Sequence, residues 1–178
     1  MTAQDCTAEQ ALDTLLTGNR RHVEGQPTQV QTIPDRATLA TTHTPIAAVV
    51  CCADARTTPE IIFDQAQGSL FTCAVAGNVV TDAVLGSLTY AATALQVPVI
   101  VILGHSSCGA VTAAVQGATL PEPLAGLVGS ICTGGHDDVA VAVAANVHAM
   151  VATVQSALDV QVVGAVHDLA TGTVAIVS

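Results

Sequence analysis

Short unbroken apolar runs alternate along this chain with stretches of helical spacing. Ile46 to Cys51 and Val97 to Leu103 are continuous apolar runs, as expected of strands buried on both faces, and Leu70 to Ala76 reads as a further strand. Helical spacing comes first at Ala11, Leu12, Leu15 and Leu16. These follow Thr7-Ala8-Glu9-Gln10, a capping box that predicts a helix start near Ala8, with Gly18 and Gly25 weakening the far end. Thr58-Pro59-Glu60 opens a second helix with proline in its first turn. Val80 to Leu95 carries apolar residues at helical spacing, another helix follows near Cys108, and a long one covers Asp138 to Ala157. Val160 to Val166 and Thr173 to Val177 predict a terminal hairpin about the turn from His167 to Gly172.

Two stretches keep neither period. Residues 26–45 hold Pro27, Pro34 and Pro45 and read as a wrapping connector that lies across a partner, and residues 117–136 are rich in Pro and Gly. Strands alternating with helices imply an α/β fold. Its central, mostly parallel sheet is flanked by helices, with an antiparallel hairpin strand at the C-terminus and a helical arm at the N-terminus. The 178 residues suit one domain, residues 1–45 forming its helix and arm and residues 46–178 its α/β core.

Composition adds three constraints. The formal charge is −10 with no lysine, and the fixed cations are Arg20, Arg21, Arg36 and Arg56, which excludes the basic patches that bind nucleic acid. The core is built of small aliphatic side chains, because the chain has no Trp and one Tyr. So apolar a surface suggests that part of it is covered in an oligomer. The polar opening Met1-Thr2-Ala3-Gln4-Asp5 does not read as a secretory signal. The apolar stretch Val139 to Val154 includes Asn146 and His148 and reads as a buried or interfacial helix, since a span needs about 20 apolar residues. Six cysteines then point to a reducing, cytoplasmic setting, where metal binding is the commoner use of cysteine.

The candidate chemistry lies in two segments at predicted strand ends, Cys51-Cys52-Ala53-Asp54-Ala55-Arg56 and Gly104-His105-Ser106-Ser107-Cys108-Gly109. Open α/β sheets bind ligands at their strand carboxyl ends, so both segments can face one crevice. Cys52, His105 and Cys108 make a Cys₂His set of the kind that holds catalytic zinc with a fourth position open to solvent. The two sulfurs argue against magnesium or calcium. Zinc in such a site lowers the pKa of water to roughly 7, which provides hydroxide at neutral pH. Asp54 and Arg56, two apart on an extended segment, can form a bidentate pair. Asp54 could then take a hydrogen bond from metal-bound water, or ligate the zinc itself. Cys51 should point to the opposite sheet face and is assigned to the core; Cys6, Cys73 and Cys132 are core or incidental.

Cys52-x-Asp54-x-Arg56, Ala76-Gly77-Asn78 and Gly104-His-Ser-Ser-Cys-Gly-Ala-Val111 together resemble the β-class carbonic anhydrases. So do Leu16 to Arg21, Pro59 to Asp64, Asp82 to Val111 and the ending about Val162 to Leu169. The resemblance implies reversible hydration of CO₂ to bicarbonate at zinc held by Cys52, His105 and Cys108, with Asp54 and Arg56 orienting water. It implies a backbone amide of Gly109 beside the metal, and a homodimer or dimer of dimers whose N-terminal helix embraces the neighbour. His43 stands where many relatives have Gln; there it either binds substrate or shuttles protons, or is a surface histidine. Ala74 replaces a common Arg, His22 and His167 replace aromatics, and Val49 stands where regulated members carry Trp, which favours an open, water-bound site. Two alternatives remain: hydrolysis of carbon disulfide or carbonyl sulfide on the same scaffold, and a zinc protein without catalysis.

Overall fold

The computed structural model describes residues 6–30 and 36–177, so Pro34 of the connector and the first five residues lie outside the described residues. Five strands, β1 (Ala47–Cys51), β2 (Leu70–Ala74), β3 (Val99–His105), β4 (Gln161–His167) and β5 (Val174–Ile176), form one sheet in the order β2-β1-β3-β4-β5. Its first four strands are parallel, and β5 pairs antiparallel with β4. The mostly parallel sheet and the closing hairpin strand are as the sequence predicts.

The unbroken apolar runs follow from the sheet being covered on both sides. In β1 and β3, alternate residues serve alternate faces. Ala48, Val50, Ile100 and Ile102 join Val162 on one face, packed by α4 (Asp82–Thr93), α5 (Gly109–Val115) and α7 (Val139–Ala157). Val49, Cys51, Val99, Val101 and Leu103 join Val163 and Ala165 on the other, beneath α1 (Ala8–Val23) and α3 (Pro59–Ile62). Every residue of β1 and β3 is buried. Helix α7 is long and apolar enough to cross a membrane by length and composition, yet Val143, Val147 and Val151 pack into the core on β3 and β4. It comes close to the sheet because Gly104 and Gly164 lie beneath it: a Cβ on either would stand 2.7–2.8 Å from Val147.

Several boundaries move, each for a local reason. Helix α1 starts at Ala8 with Thr7 capping Gln10 at 3.2 Å, as the capping box requires, but Gly18 does not weaken it. Gly18 sits mid-helix because α1 presses on the loop after α3, where a Cβ would run into the carbonyl of Phe63. Helix α3 is a single turn, since Asp64 follows with φ of 45°. Strand β2 stops at Ala74, and Ala76–Asn78 forms a 3-10 turn. Helix α4 begins later than the spacing suggests, at Asp82, where Thr81 caps it. The connector contains one short turn, α2 (Arg36–Leu39), and the Gly- and Pro-rich region contains α6 (Leu124–Gly129).

The arm is tied down by Asp64, whose side chain is fully buried. Its carboxylate accepts from Arg21 Nε at 2.6 Å and from the backbone amides of Thr28, Gln29 and Val30 at 2.8–3.0 Å. Burial alone would raise the pKa of Asp64, but the amides of Val30 and Thr28, the Arg21 guanidinium and the Gln29 amide outweigh it and hold it at about 2. Asn19 adds a second tie, donating to Ile62 O and Gly172 O and accepting from Val174 N.

Candidate metal centre

Cys52 is the first residue after β1, His105 is the last residue of β3, and Cys108 caps α5. Strand β3 therefore runs two residues further than its apolar run, through Gly104 and His105, because these pair with Val166 and His167 of β4. Strands β1 and β3 are adjacent and parallel, with Cys51 level with Leu103, so the residues that follow emerge side by side at the carboxyl edge. There the two Sγ atoms and an imidazole nitrogen lie within 4.8 Å of one another, with Sγ to Sγ at 4.0 Å. All three residues are buried.

This donor set fits zinc. Tetrahedral bond lengths to zinc require ligand atoms about 3.5–3.8 Å apart, which a small closing of the cluster provides. His105 Nδ1 lies 2.9 Å from Ser106 O, so it carries the proton and donates. Its Nε2 is buried and without a hydrogen-bond partner, a costly state unless the atom is a ligand. Ser106 is itself fixed, its N–H donating to His167 O and its Oγ accepting from Leu169 N, both at 2.9 Å.

The two thiols are coupled through their 4.0 Å contact. A hydrogen bond from Cys108 is the main influence that lowers the pKa of Cys52. The nearby His105 ring and the Gly77 N–H, 3.3 Å from Cys52 Sγ, add to it against the opposing effect of burial, and the net effect is a lowered pKa. Cys108 is pushed up by that same bond and by burial, although the amides of Val111 and Ala110 oppose this. Burial disfavours the charged form of His105, but Cys52 and the Ser106 carbonyl more than compensate and raise its pKa. Cys51, one residue from the cluster, lies in the opposite core and is raised to about 12, first by burial and then by Cys52, Glu60 and Cys73. Of the other thiols, Cys6 is buried, Cys73 is half-buried and Cys132 is exposed.

Asp54 and Arg56 pair as the spacing predicts. Arg56 Nε and a terminal guanidinium nitrogen donate to the two carboxylate oxygens at 2.8 and 2.6 Å, and the Arg56 amide donates to Oδ1 at 3.0 Å. Arg56 holds Asp54 well below the usual carboxylate range. With Arg56 59% exposed the pair adds little stability, and its effect is to orient the carboxylate. Thr57 Oγ1 bridges the carbonyls of Cys52 and Asp54 at 2.9 and 2.8 Å, fixing the loop. Among the described residues, Asp54 is not one of the clustered donors.

Gly109 is the first residue of α5, next to Cys108. His43 lies elsewhere: it is exposed, precedes β1, and its Cβ is close to Gly68 ahead of β2. Five residues of β1, about 16 Å at 3.3 Å each, separate that end of the sheet from the ligands. The chain's own His43 is therefore not part of the cluster. The sequence reading also missed the amide of Gly77 and the carbonyl of Ser106, whose contributions are backbone atoms that no side-chain motif encodes.

A mostly parallel α/β sheet thus carries a buried Cys₂His cluster suited to a metal ion at its carboxyl edge. A family model described as carbonic anhydrase matches residues 47–144. "Carbonic anhydrase 2" of Mycobacterium tuberculosis is 50% identical over 108 residues, 58% of this chain and 52% of that protein. A carbonic anhydrase of Mycolicibacterium smegmatis is 47% identical over 115 residues, 64% of this chain and 56% of that one. The chain thus spans about half the length of the curated relatives it matches. Among solved structures, a tetrameric β-carbonic anhydrase of Sordaria macrospora superposes with a TM-score of 0.72 at 20% identity, covering 93% of each chain. The β-carbonic anhydrase CafA of Aspergillus fumigatus gives 0.67 at 24% identity, covering 79% of each. The chain belongs to the β-class carbonic anhydrase family.

Proposed function

We propose that this protein catalyses the reversible hydration of carbon dioxide to bicarbonate and a proton, with zinc held by Cys52, His105 and Cys108. The observation that carries this reading is the buried convergence of those three donor atoms, one of them an orphaned imidazole nitrogen. Zinc bound there supplies a Lewis acid that brings the pKa of water down to roughly 7. Asp54, kept ionised and aimed by Arg56, acts as a hydrogen-bond acceptor that orients water, while the Gly109 amide at the start of α5 stands beside the reacting groups. The carboxylate's engagement with Arg56 favours this role for Asp54 over that of a fourth ligand.

We further infer a homodimer or a dimer of dimers with residues 1–45 as an arm of the same domain. Strand β2 is one edge of the sheet, with one backbone row unpaired among the described residues and Tyr90 52% exposed near it, its ring against Phe71. His43 would contribute to substrate binding only at a site of a second copy. Unpaired cysteines throughout suit a cytoplasmic protein.

Stopped-flow CO₂ hydration on protein of known zinc content tests the reading. Hydration proportional to bound zinc, abolished in Cys52→Ser together with the metal, is expected. Zinc retained in Cys52→Ser would overturn the ligand assignment, and zinc-loaded protein that hydrates CO₂ no faster than buffer would make it a non-catalytic member. Sulfide release from carbon disulfide or carbonyl sulfide without CO₂ hydration would reassign the substrate.

A further inference from the structure

Asn146 is an unusual residue for its position. It sits mid-way along the apolar helix α7 between Val143, Val147 and Met150, and it is fully buried. A buried amide without partners is costly, so its bonds define its use. Nδ2 donates to Gly77 O at 2.9 Å, and Oδ1 accepts from Cys132 N at 3.1 Å. One side chain thus joins the turn at Ala76–Asn78 to the loop after α6.

Gly77 is the junction that matters. It has φ of 72°, a conformation that favours glycine, and a Cβ there would stand 2.7 Å from Ile131, so no side chain of its own can anchor it. Its two peptide planes are held by hydrogen bonds, one of them inside the turn, where Asn78 N–H donates to Val75 O at 2.9 Å. The plane ahead of it donates its N–H to Cys52 Sγ at 3.3 Å, and the plane after it gives its carbonyl to Asn146. Without Asn146 the plane after Gly77 keeps only the bond from Asn78 N–H to Val75 O, and the glycine lets it tilt about that single contact. An amide that donates to a thiolate fixes the sulfur's direction and moderates its charge, and both affect how it grips a cation.

We propose that Asn146 is a positioning residue of the metal site, which through Gly77 sets the N–H contact to Cys52 and so the hold on zinc. This rests on the zinc reading given above. Asn146 touches no ligand itself; it acts on the sulfur from the helix behind the turn.

The test compares zinc affinity, by chelator competition, in the unaltered protein, Asn146→Ala, Asn146→Asp and Val154→Ala. Each is also loaded with cobalt to record the sulfur-to-metal charge-transfer absorption. Asn146→Asp keeps nearly the same volume and the acceptor for Cys132 but loses the donor to Gly77, and it carries the test if the alanine variant does not fold. Val154 is a buried α7 residue about two helical turns beyond Asn146, a comparable cavity without the contact. Both Asn146 variants are expected to bind zinc about 10–100-fold more weakly with a shifted charge-transfer band, whereas Val154→Ala loses thermal stability but keeps affinity and spectrum. Folded Asn146→Asp with unaltered affinity and spectrum would overturn the proposal. So would Val154→Ala weakening zinc as much for the same fall in melting temperature. An unaltered protein that binds no zinc would instead remove the zinc reading itself, and the two failures are told apart by that first measurement.

Discussion

Cys51 and Cys52 are adjacent in sequence and fall on opposite faces of one sheet. The first is enclosed by Val49, Ile62, Phe63 and Leu103, with burial the main cause that takes its pKa to about 12. The second meets a thiol, an imidazole and a backbone amide within a few ångströms and is lowered instead. Both are buried, so burial alone does not decide thiol chemistry. What decides it is whether polar groups converge on the sulfur, and here they do so only at the carboxyl edge, where the strands release their chains into loops. The α1 and α3 face is a support; the α5 and α7 face carries the chemistry.

The largest expected difference follows from exchanging the roles of the two residues. Cys52→Ala should abolish zinc binding, while Cys51→Ala should keep a full complement and lose about 1 kcal/mol, read by metal analysis and urea unfolding. Phe63→Ala should destabilise the chain by about 3–5 kcal/mol because it empties the support face, yet the folded fraction should hold zinc normally. Arg56→Ala works the other way. Zinc content and melting temperature should stay near those of the unaltered protein, and hydration should fall about 10–100-fold as Asp54 loses its orientation. The smallest effect concerns acid. Asp64 has its folded pKa depressed to about 2 against an ordinary value of about 3.9. Its contribution is therefore complete above pH ~4 and lost as pH falls towards 2. Asp64→Asn should flatten that acid limb in unfolding measured from pH 5 to 2, with little effect on zinc at pH 7.

Much of this was legible before any coordinates. Runs such as Ala47–Cys51 and Val99–Leu103 are apolar at every position because both sheet faces are covered, and the cap at Thr7 gave the start of α1. The three clustered donors were legible too, since paired strands of fixed register bring their ends level. His105 was read as lying past its strand because Gly104 and a histidine look like a loop; pairing with β4 overrides that local signal. Helix α6 was hidden by neighbouring glycines and prolines, which weaken local propensity without preventing a short helix. His43 precedes the run Ile46 to Cys51 and Cys52 follows it, so their separation was legible in chain order, and it was the resemblance that set His43 beside the site. The Gly77 amide and its Asn146 anchor were invisible for another reason: backbone donors are common to all residues, and only the fold selects which one meets a sulfur.

Ser106 has a bearing on the last part of the chain. By holding the imidazole with its carbonyl, His167 with its amide and Leu169 with its hydroxyl, it couples a ring at the heart of the molecule to the β4–β5 hairpin. The terminal strand is thus a brace rather than an appendage. Its stiffness is passed to the nitrogen that must stay aimed, so loosening the last few residues would blur the ring's alignment from some distance away.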